Sequence, residues 1–245
     1  MYRIELEELK KEIYKKLHEL RSRDLKIEIK SDKSPVTEFD IFVSEKTQEI
    51  FSKRHGYLNF YSEENPEEFK FPVIVLDPID GTREFVKGYG ECAVSLAILN
   101  SADINDPKNY GWIYNPFTGF EISSDLHISI EPRTVVPPTI HVMVSRSEWE
   151  KNLVDHERNE QISLTPMGSI AYKLGLLAGG ACDVVISKRN KNIWDIAAGI
   201  VICHSRGIKT MSEGGEVTLL NQIKYKAPFI WGKEREIEIA SYLLD

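Results

Sequence analysis

The chain has 245 residues, of which 42% are hydrophobic and 28% charged, and its formal net charge is −7. This composition is typical of a folded globular protein with one large domain or two medium ones. The negative charge argues against a nucleic-acid polymer as partner, and no stretch approaches the roughly 20 apolar residues of an integral membrane span.

The chain begins without the basic and apolar pattern of a secretory signal. Its three cysteines, Cys92, Cys182 and Cys203, stand in apolar surroundings without Cys-x-x-Cys spacing. Buried, reduced thiols are therefore expected, and with them a cytoplasmic protein.

Two helices are predicted at the start of the chain. Apolar residues recur with helical spacing over residues 4–20. Pro35 ends any helix before it, and Thr37 can cap a second helix that ends near Gly56. Asp40 stands three residues after Thr37, which is the spacing of a capping box, so a structural role is open for Asp40.

The rest of the chain predicts sheet followed by alternating strands and helices. Strands are expected at 58–61, 73–77, 92–99, 111–114, 140–144, 183–187 and 229–231, and helices at 170–178, 195–206 and 234–244. This order predicts an α/β (α+β) protein with a largely buried second sheet. We place a boundary near residue 135, between an N-terminal part (1–135) and a C-terminal part (136–245).

Carboxylates stand at the ends of several of these elements. Asp77 and Asp80 follow the strand at 73–77, although Asp-Pro and Asp-Gly are also common in plain turns. Glu63 ends another strand, where a solvated loop is the alternative. Asp195 lies in the first turn of a helix, where it also fits the helix dipole. Brought into one cleft, these carboxylates need hard cations, and Mg²⁺ suits oxygen ligands and phosphate hydrolysis.

Four motifs resemble those of a known family. They are Asp-Pro-Ile-Asp-Gly-Thr at 77–82, Trp-Asp-Ile-Ala-Ala-Gly at 194–199, Glu-Glu at 63–64, and Ser-Pro-Val-Thr-Glu-Phe-Asp at 34–40. On these motifs the chain is identified as a member of the inositol monophosphatase superfamily, whose members are Mg²⁺-dependent, lithium-sensitive phosphatases. The resemblance implies the layered αβαβα sandwich that this superfamily shares with fructose-1,6-bisphosphatase.

The resemblance also implies two or three Mg²⁺ ions in the site. One ion is expected on Glu63, Asp77 and the carbonyl of Ile79. A second is expected on Asp77, Asp80 and Asp195, and a third is expected to sit loosely near Glu63.

Other residues receive catalytic or substrate-binding roles from the same resemblance. The phosphate is expected against the main-chain N–H groups of Gly81 and Thr82, with Asp195 also on the substrate side. Asp40 is expected to hydrogen-bond Thr82, and this pair orients or deprotonates the attacking water, with Glu63 as a further catalytic residue.

Several segments favour the 3'(2'),5'-bisphosphate nucleotidase branch of the superfamily. Residues 81–85, Gly-Thr-Arg-Glu-Phe, are similar to its Gly-Thr-Lys-Glu-Phe. By this resemblance Ser145, Gly168 and Lys173 lie near a nucleotide. Lys173 or Arg146 is then available to a second phosphate, and the alternative is that both are merely solvated side chains.

The expected reaction converts 3'-phosphoadenosine 5'-phosphate to AMP and phosphate. Three alternatives stay open: an inositol-1-monophosphatase, a sugar (fructose 1,6-) bisphosphatase, and a catalytically silent protein that binds a phosphorylated ligand. The segment 118–133 is shorter than is usual in the family, and 211–245 is only loosely similar. The expected partner is a small phosphorylated substrate, and a monomer and a homodimer are both open.

Overall fold

The computed structural model describes residues 1–21, 27–29, 35–126, 139–154 and 160–244. The described helices are α1 (Arg3–Arg21), α2 (Glu38–His55), α3 (Thr82–Val86), α4 (Arg146–Trp149), α5 (Ile170–Ala178), α6 (Ile193–His204) and α7 (Glu234–Ala240), which is followed by a 3₁₀ turn (Ser241–Leu244). The described strands are β1 (Ile27–Ile29), β2 (Pro35–Thr37), β3 (Asn59–Ser62), β4 (Val73–Asp80), β5 (Ala93–Leu99), β6 (Tyr110–Tyr114), β7 (Glu121–Ser123), β8 (Ile140–Ser145), β9 (Ile162–Met167), β10 (Val184–Ser187), β11 (Lys191–Asn192), β12 (Lys209–Ser212), β13 (Gly215–Glu216), β14 (Lys224–Tyr225) and β15 (Phe229–Gly232).

Two sheets organise the molecule. The first sheet has the order β3-β4-β5-β6-β7, and the second has the order β13-β12-β15-β10-β8-β9. In the first sheet, β3 and β4 are parallel and the remaining pairs are antiparallel. In the second, β8 runs parallel to β9 and β10, whereas β15 runs antiparallel to β10 and β12. Both sheets are therefore mixed, in line with an α+β arrangement.

Helices cover both faces of each sheet, which gives the predicted αβαβα layers. Helices α1 and α2 pack on the outer face of the first sheet. Helices α5 and α6 fill the space between the two sheets, and α7 packs on the outer face of the second. Strand β4 shows the reason: Ile74 and Leu76 face the outer helices while Val73 and Val75 face the central ones. A strand covered on both faces is apolar throughout rather than alternating.

The structure differs from the sequence prediction in several elements. Strands β9 and β12 were not predicted, because β9 is only partly buried and β12 carries mixed polar residues that pair with β15. The predicted C-terminal helix ends at Ala240 and continues as the 3₁₀ turn. The expected boundary near residue 135, and Ser34 of the N-terminal motif, lie outside the described residues.

Three further expectations concern local features. The three cysteines are buried and free, as predicted. Of the short segment 118–133, the described part forms a hairpin in which β7 pairs with β6. None of the described helices combines the length and the apolar character that crossing a membrane requires.

Candidate metal centre and substrate cleft

A cleft of about 250 Å³ lies where several strands end. The residues that follow or end β3, β4, β8, β9 and β10 line it, and so does the first turn of α6. Carboxyl ends of strands in layered α/β proteins are the usual place for ligands. Ten of the eleven predicted site residues line this cleft, and Asp40 is the exception. The ten are Glu63, Asp77, Ile79, Asp80, Gly81, Thr82, Ser145, Gly168, Lys173 and Asp195.

Three aspartates form the carboxylate cluster of the cleft. Asp77, Asp80 and Asp195 each offer one oxygen, and these oxygens lie within 4.8 Å of one another. Strand β4 extends to Asp80 instead of ending at Asp77, and its pairing with β5 shifts register between the two. Local irregularity in a strand re-aims side chains, so both aspartates reach the cleft. Glu63 lines the same cleft but stands outside this 4.8 Å cluster.

Two of these carboxylates are fixed by nearby main-chain donors. The N–H of Ile79 donates to Oδ1 of Asp77 at 3.0 Å. The N–H of Asn192 donates to Oδ2 of Asp195 at 2.7 Å, within a capping box at the start of α6. Each carboxylate thus has one oxygen bonded within its own segment, and both residues line the cleft. Asp195 has the structural role that its helix position indicated, and it faces the cleft as well.

The electrostatics of the cluster call for a cation. Burial raises the pKa of Asp77 well above its ordinary value, and Glu63, Asp80 and Asp195 raise it further. Burial and then Asp80 raise the pKa of Asp195 to about 7. Carboxylates that repel one another in a desolvated site are relieved by a hard divalent cation. The donor set therefore fits Mg²⁺, with Asp77, Asp80 and Asp195 as residues that could hold it.

Asp40 divides its two oxygens between the helix and the cleft. Its Oδ2 accepts from the main-chain N–H of Thr37 at 2.8 Å and from the hydroxyl of Thr37, which completes the capping box of α2. Its Oδ1 accepts from the hydroxyl of Thr82 at 3.2 Å. Asp40 therefore caps α2 and also bonds Thr82, while its part in catalysis stays a prediction. Because Asp40 is buried, its pKa is raised.

The turn after β4 requires glycine. Gly81 has φ of 92°, and a Cβ there would lie 2.8 Å from the carbonyl oxygen of Glu91. Only glycine combines that conformation with that approach. Gly81 precedes the first residue of α3, Thr82, so the turn places the start of this helix on the cleft wall.

Two cations, Arg146 and Lys173, form the cationic pair of the same cleft. Arg146 donates through Nη2 to both carboxylate oxygens of Glu91, while its Nε is buried with no hydrogen-bond partner in the described part of the chain. Lys173 is 2% exposed, and its Nζ donates to the carbonyl of Met167 at 2.9 Å. Burial lowers the pKa of Lys173 to about 8. The alternative that Lys173 is a solvated side chain is wrong.

Known proteins are similar to this chain in sequence and in fold. A sequence profile described as the inositol monophosphatase family matches residues 2–129 and 134–242. The chain belongs to the inositol monophosphatase family. It is accordingly a phosphoric monoester hydrolase, and the family as a whole depends on Mg²⁺ and acts on small phosphorylated substrates.

Individual relatives lie in two branches of this family. The chain is 27% identical over 194 residues to the 3'(2'),5'-bisphosphate nucleotidase CysQ of Escherichia coli K12, covering 73% of this chain and 76% of that one. It is 25% identical over 175 residues to the inositol monophosphatase 1 of Bos taurus, covering 62% and 59%. The IMPase structure from Thermotoga maritima has a TM-score of 0.76 at 20% identity over 99% and 98% of the chains.

The structure also brings residues to the site that the sequence did not assign. Ser169 donates its hydroxyl to Oδ2 of Asp80 at 2.6 Å. Glu148 is fully buried behind the cleft, where it accepts from the hydroxyl of Ser187 at 2.9 Å and from the N–H of Lys188 at 3.0 Å. Ser187 itself lines the cleft. These partners are 39 to 89 positions apart, so no local pattern could have shown them.

Proposed function

We propose that this family member is a Mg²⁺-dependent 3'(2'),5'-bisphosphate nucleotidase that converts 3'-phosphoadenosine 5'-phosphate to AMP and phosphate. The observation that carries the proposal is the cationic pair in the cleft of the carboxylate cluster. A substrate with two phosphates can place one at the carboxylates and the other at Arg146 or Lys173. A substrate with one phosphate leaves Glu91 as the anion on Arg146 and places no phosphate at the pair.

The unpaired Nε of Arg146 supports the second phosphate position. A buried N–H group without a hydrogen-bond partner destabilises the fold, and the Nε of Arg146 is such a group. A guanidinium donates its strongest hydrogen bonds to anions such as phosphate. Glu91 engages Nη2, which fixes the plane of the guanidinium. The similarity to CysQ, a protein named for this activity, supports the same substrate class.

We propose the catalytic roles that the family resemblance implies. Two or three Mg²⁺ ions on Glu63, Asp77, the Ile79 carbonyl, Asp80 and Asp195 would supply charge neutralisation and an activated water.

Thr82 is the proposed contact for the attacking water. Its single hydroxyl proton has two acceptors, Asp40 at 3.2 Å and the carbonyl of Ile79 at 2.9 Å. With the proton directed to Asp40, the hydroxyl oxygen can accept a hydrogen bond from water and so orient it for in-line attack. The N–H groups of Gly81 and Thr82 would then receive the phosphate oxygens, with Asp195 on the same side.

Rates on three substrates test the proposal. Phosphate release is measured from 3'-phosphoadenosine 5'-phosphate, inositol 1-phosphate and fructose 1,6-bisphosphate, each with Mg²⁺, with EDTA and with added Li⁺. We expect Mg²⁺-dependent, lithium-sensitive release with the highest kcat/KM on the nucleotide. A higher kcat/KM on inositol 1-phosphate or on the sugar would overturn the branch, and no release from any of the three would overturn the nucleotidase proposal as a whole.

The thiols fit a reducing compartment. Cys92, Cys182 and Cys203 are buried and free, and burial raises the pKa of Cys182 to about 12. Thiols of this kind are inert and need no oxidising environment. We therefore place the reaction in the cytoplasm.

A further inference from the structure

The carboxylate of Asp80 is held by donors from a distant part of the chain. The hydroxyl of Ser169 and the main-chain N–H of Ala171 both donate to Oδ2 of Asp80, each at 2.6 Å. Both donors engage the same oxygen, so neither of them occupies Oδ1 of Asp80, a residue that belongs to the cluster with Asp77 and Asp195.

The direction of the Ser169 hydroxyl follows from its second neighbour. The main-chain N–H of Tyr172 donates to Oγ of Ser169 at 3.0 Å, which caps α5. A main-chain N–H can only donate, so the hydroxyl accepts there. Its single proton is therefore committed to Asp80.

The turn that contains Ser169 has a strained backbone, and contacts from neighbouring residues hold it in place. Ser169 has φ of 53°, a conformation that glycine adopts more easily than serine. Gly168 before it packs so closely that a Cβ would lie 2.4 Å from Cγ of Glu84, and its N–H donates to Glu91 at 2.8 Å. Lys173 holds the carbonyl of Met167 on the other side. A serine in a conformation that glycine adopts more easily indicates that the hydroxyl group contributes to structure or function.

We propose that Ser169 is a positioning residue that orients the Asp80 carboxylate for metal binding. It acts through Asp80 and makes no contact with the reacting atoms. The proposal rests on the metal centre of the proposed function and is independent of the nucleotide as substrate. Donors that orient metal ligands in this way typically change metal affinity by about 10- to 100-fold when they are removed.

Metal binding without any substrate tests it directly. Free Mn²⁺ is counted by electron paramagnetic resonance during titration of wild type, Ser169→Ala and Ser169→Gly, with Mg²⁺ as competitor. Both variants lose the hydroxyl, and we expect both to bind the Asp80 ion about tenfold or more weakly. The ion expected at Glu63 and Asp77 should keep its affinity in both.

The two variants separate metal affinity from stability. Ser169→Gly relieves the backbone strain and glycine is accepted at a helix N-cap, so its Tm should exceed that of Ser169→Ala. Ser205→Ala serves as the matched control, because it removes a serine hydroxyl that bonds the Ile202 carbonyl at 2.7 Å on the end of α6 remote from the cleft. Its Mn²⁺ affinity should equal that of wild type.

The outcomes distinguish this proposal from the proposed function. Mn²⁺ affinities within twofold of wild type in both Ser169 variants would overturn the positioning role of Ser169. The role would also be overturned if only the variant with the lower Tm bound Mn²⁺ more weakly, because the loss would then reflect stability and not the missing hydroxyl. Wild-type protein that binds Mn²⁺ but does not hydrolyse the nucleotide would overturn the nucleotidase proposal and leave Ser169 supported. Wild-type protein that binds no Mn²⁺ would overturn both.

Discussion

The carboxylate cluster and the cationic pair share one cleft, but different kinds of contact hold them. Asp77 and Asp195 are bonded by main-chain N–H groups two and three residues away. Arg146, in contrast, is held by Glu91, 55 positions earlier in the chain. Asp77 and Asp195 are therefore set by their own strand end and helix start. Asp80 and the Arg146 guanidinium are bonded by residues far away in the chain, so they depend on how the second half of the molecule is placed against the first.

This difference suggests that the carboxylate cluster and the cationic pair have different roles, one in hydrolysis and the other in substrate choice. Asp77 and Asp195, fixed by neighbouring main-chain groups, keep their charges in place, which is what the hydrolytic chemistry needs. A cation held by a long-range ion pair can change from one relative to another without disturbing that arrangement. We expect changes in the carboxylate cluster to lower kcat, and changes in the cationic pair to act on KM and on the choice of substrate.

Asp77→Asn should have the largest effect. The amide keeps the shape of the side chain but removes the charge that a metal needs, and several kcal/mol of transition-state stabilisation go with it. We expect kcat to fall by at least about 1,000-fold, since about 1.4 kcal/mol corresponds to tenfold. Circular dichroism and Tm should show an intact fold, because a buried repelling carboxylate is replaced by a neutral group. Wild-type turnover in this variant would contradict the metal centre.

Thr82→Val should have the next largest effect. Valine keeps the branched shape at the start of α3 but loses the hydroxyl that contacts Asp40 and the Ile79 carbonyl. A positioned proton acceptor contributes about 100- to 10,000-fold, so we expect kcat to fall by about 100-fold with KM nearly unchanged. Thr82→Ser is the matched control and should retain most of the wild-type kcat. Equal losses in both variants would mean that the hydroxyl is not the feature that matters.

The sequence predicted the locally built half of this cleft better than the other half. Thr37, Asp40 and Asp77 could be identified from nearby sequence, because their hydrogen bonds span two or three positions. Asp80 was identified only through the motif at 77–82, because its donors are 89 and 91 positions away. The αβαβα layers followed from the resemblance, and the apolar run of β4 shows why both of its faces are covered. Ser169 was not assigned, because the partner that gives its hydroxyl a role, Asp80, is 89 positions away. Strand β9 is only partly buried and shows no apolar pattern.

Arg146→Ala tests the cationic pair. Loss of a charged hydrogen-bond donor costs about 1.5–3 kcal/mol, so we expect KM for 3'-phosphoadenosine 5'-phosphate to rise about tenfold or more, with kcat unchanged. The monophosphate 3'-AMP should show no such rise, since it has no second phosphate to lose. Arg235→Ala is the control, because it removes one positive charge from an exposed position on α7. A parallel rise of KM for both nucleotides would indicate general loss of the cleft geometry instead.

The smallest expected effect is a dependence of Mg²⁺ stabilisation on pH. Burial and the neighbouring Asp80 raise the pKa of Asp195 from 3.8 to about 7, while Lys191 opposes the shift. A carboxyl group whose pKa is higher in the folded state favours folding at low pH, and this contribution is lost as the pH rises through about 7. In EDTA this group should therefore make the protein less stable at pH 8 than at pH 5.

Mg²⁺ should reverse that trend, because it binds the deprotonated carboxylates and must displace protons at pH 5. We expect the gain in Tm on adding Mg²⁺ to be several degrees larger at pH 8, since about 1 kcal/mol moves Tm by about 2–4 °C in a chain of this size. Asp195→Asn removes one of the carboxyl groups with a raised pKa and one proposed ligand, so the gain should be smaller and depend less on pH, while the raised pKa of Asp77 keeps part of the dependence. A gain that is larger at pH 5 in wild type would mean that the stabilising ion does not bind at the carboxylate cluster. The contrast between a metal-binding part and a phosphate-binding part of the cleft would then be wrong.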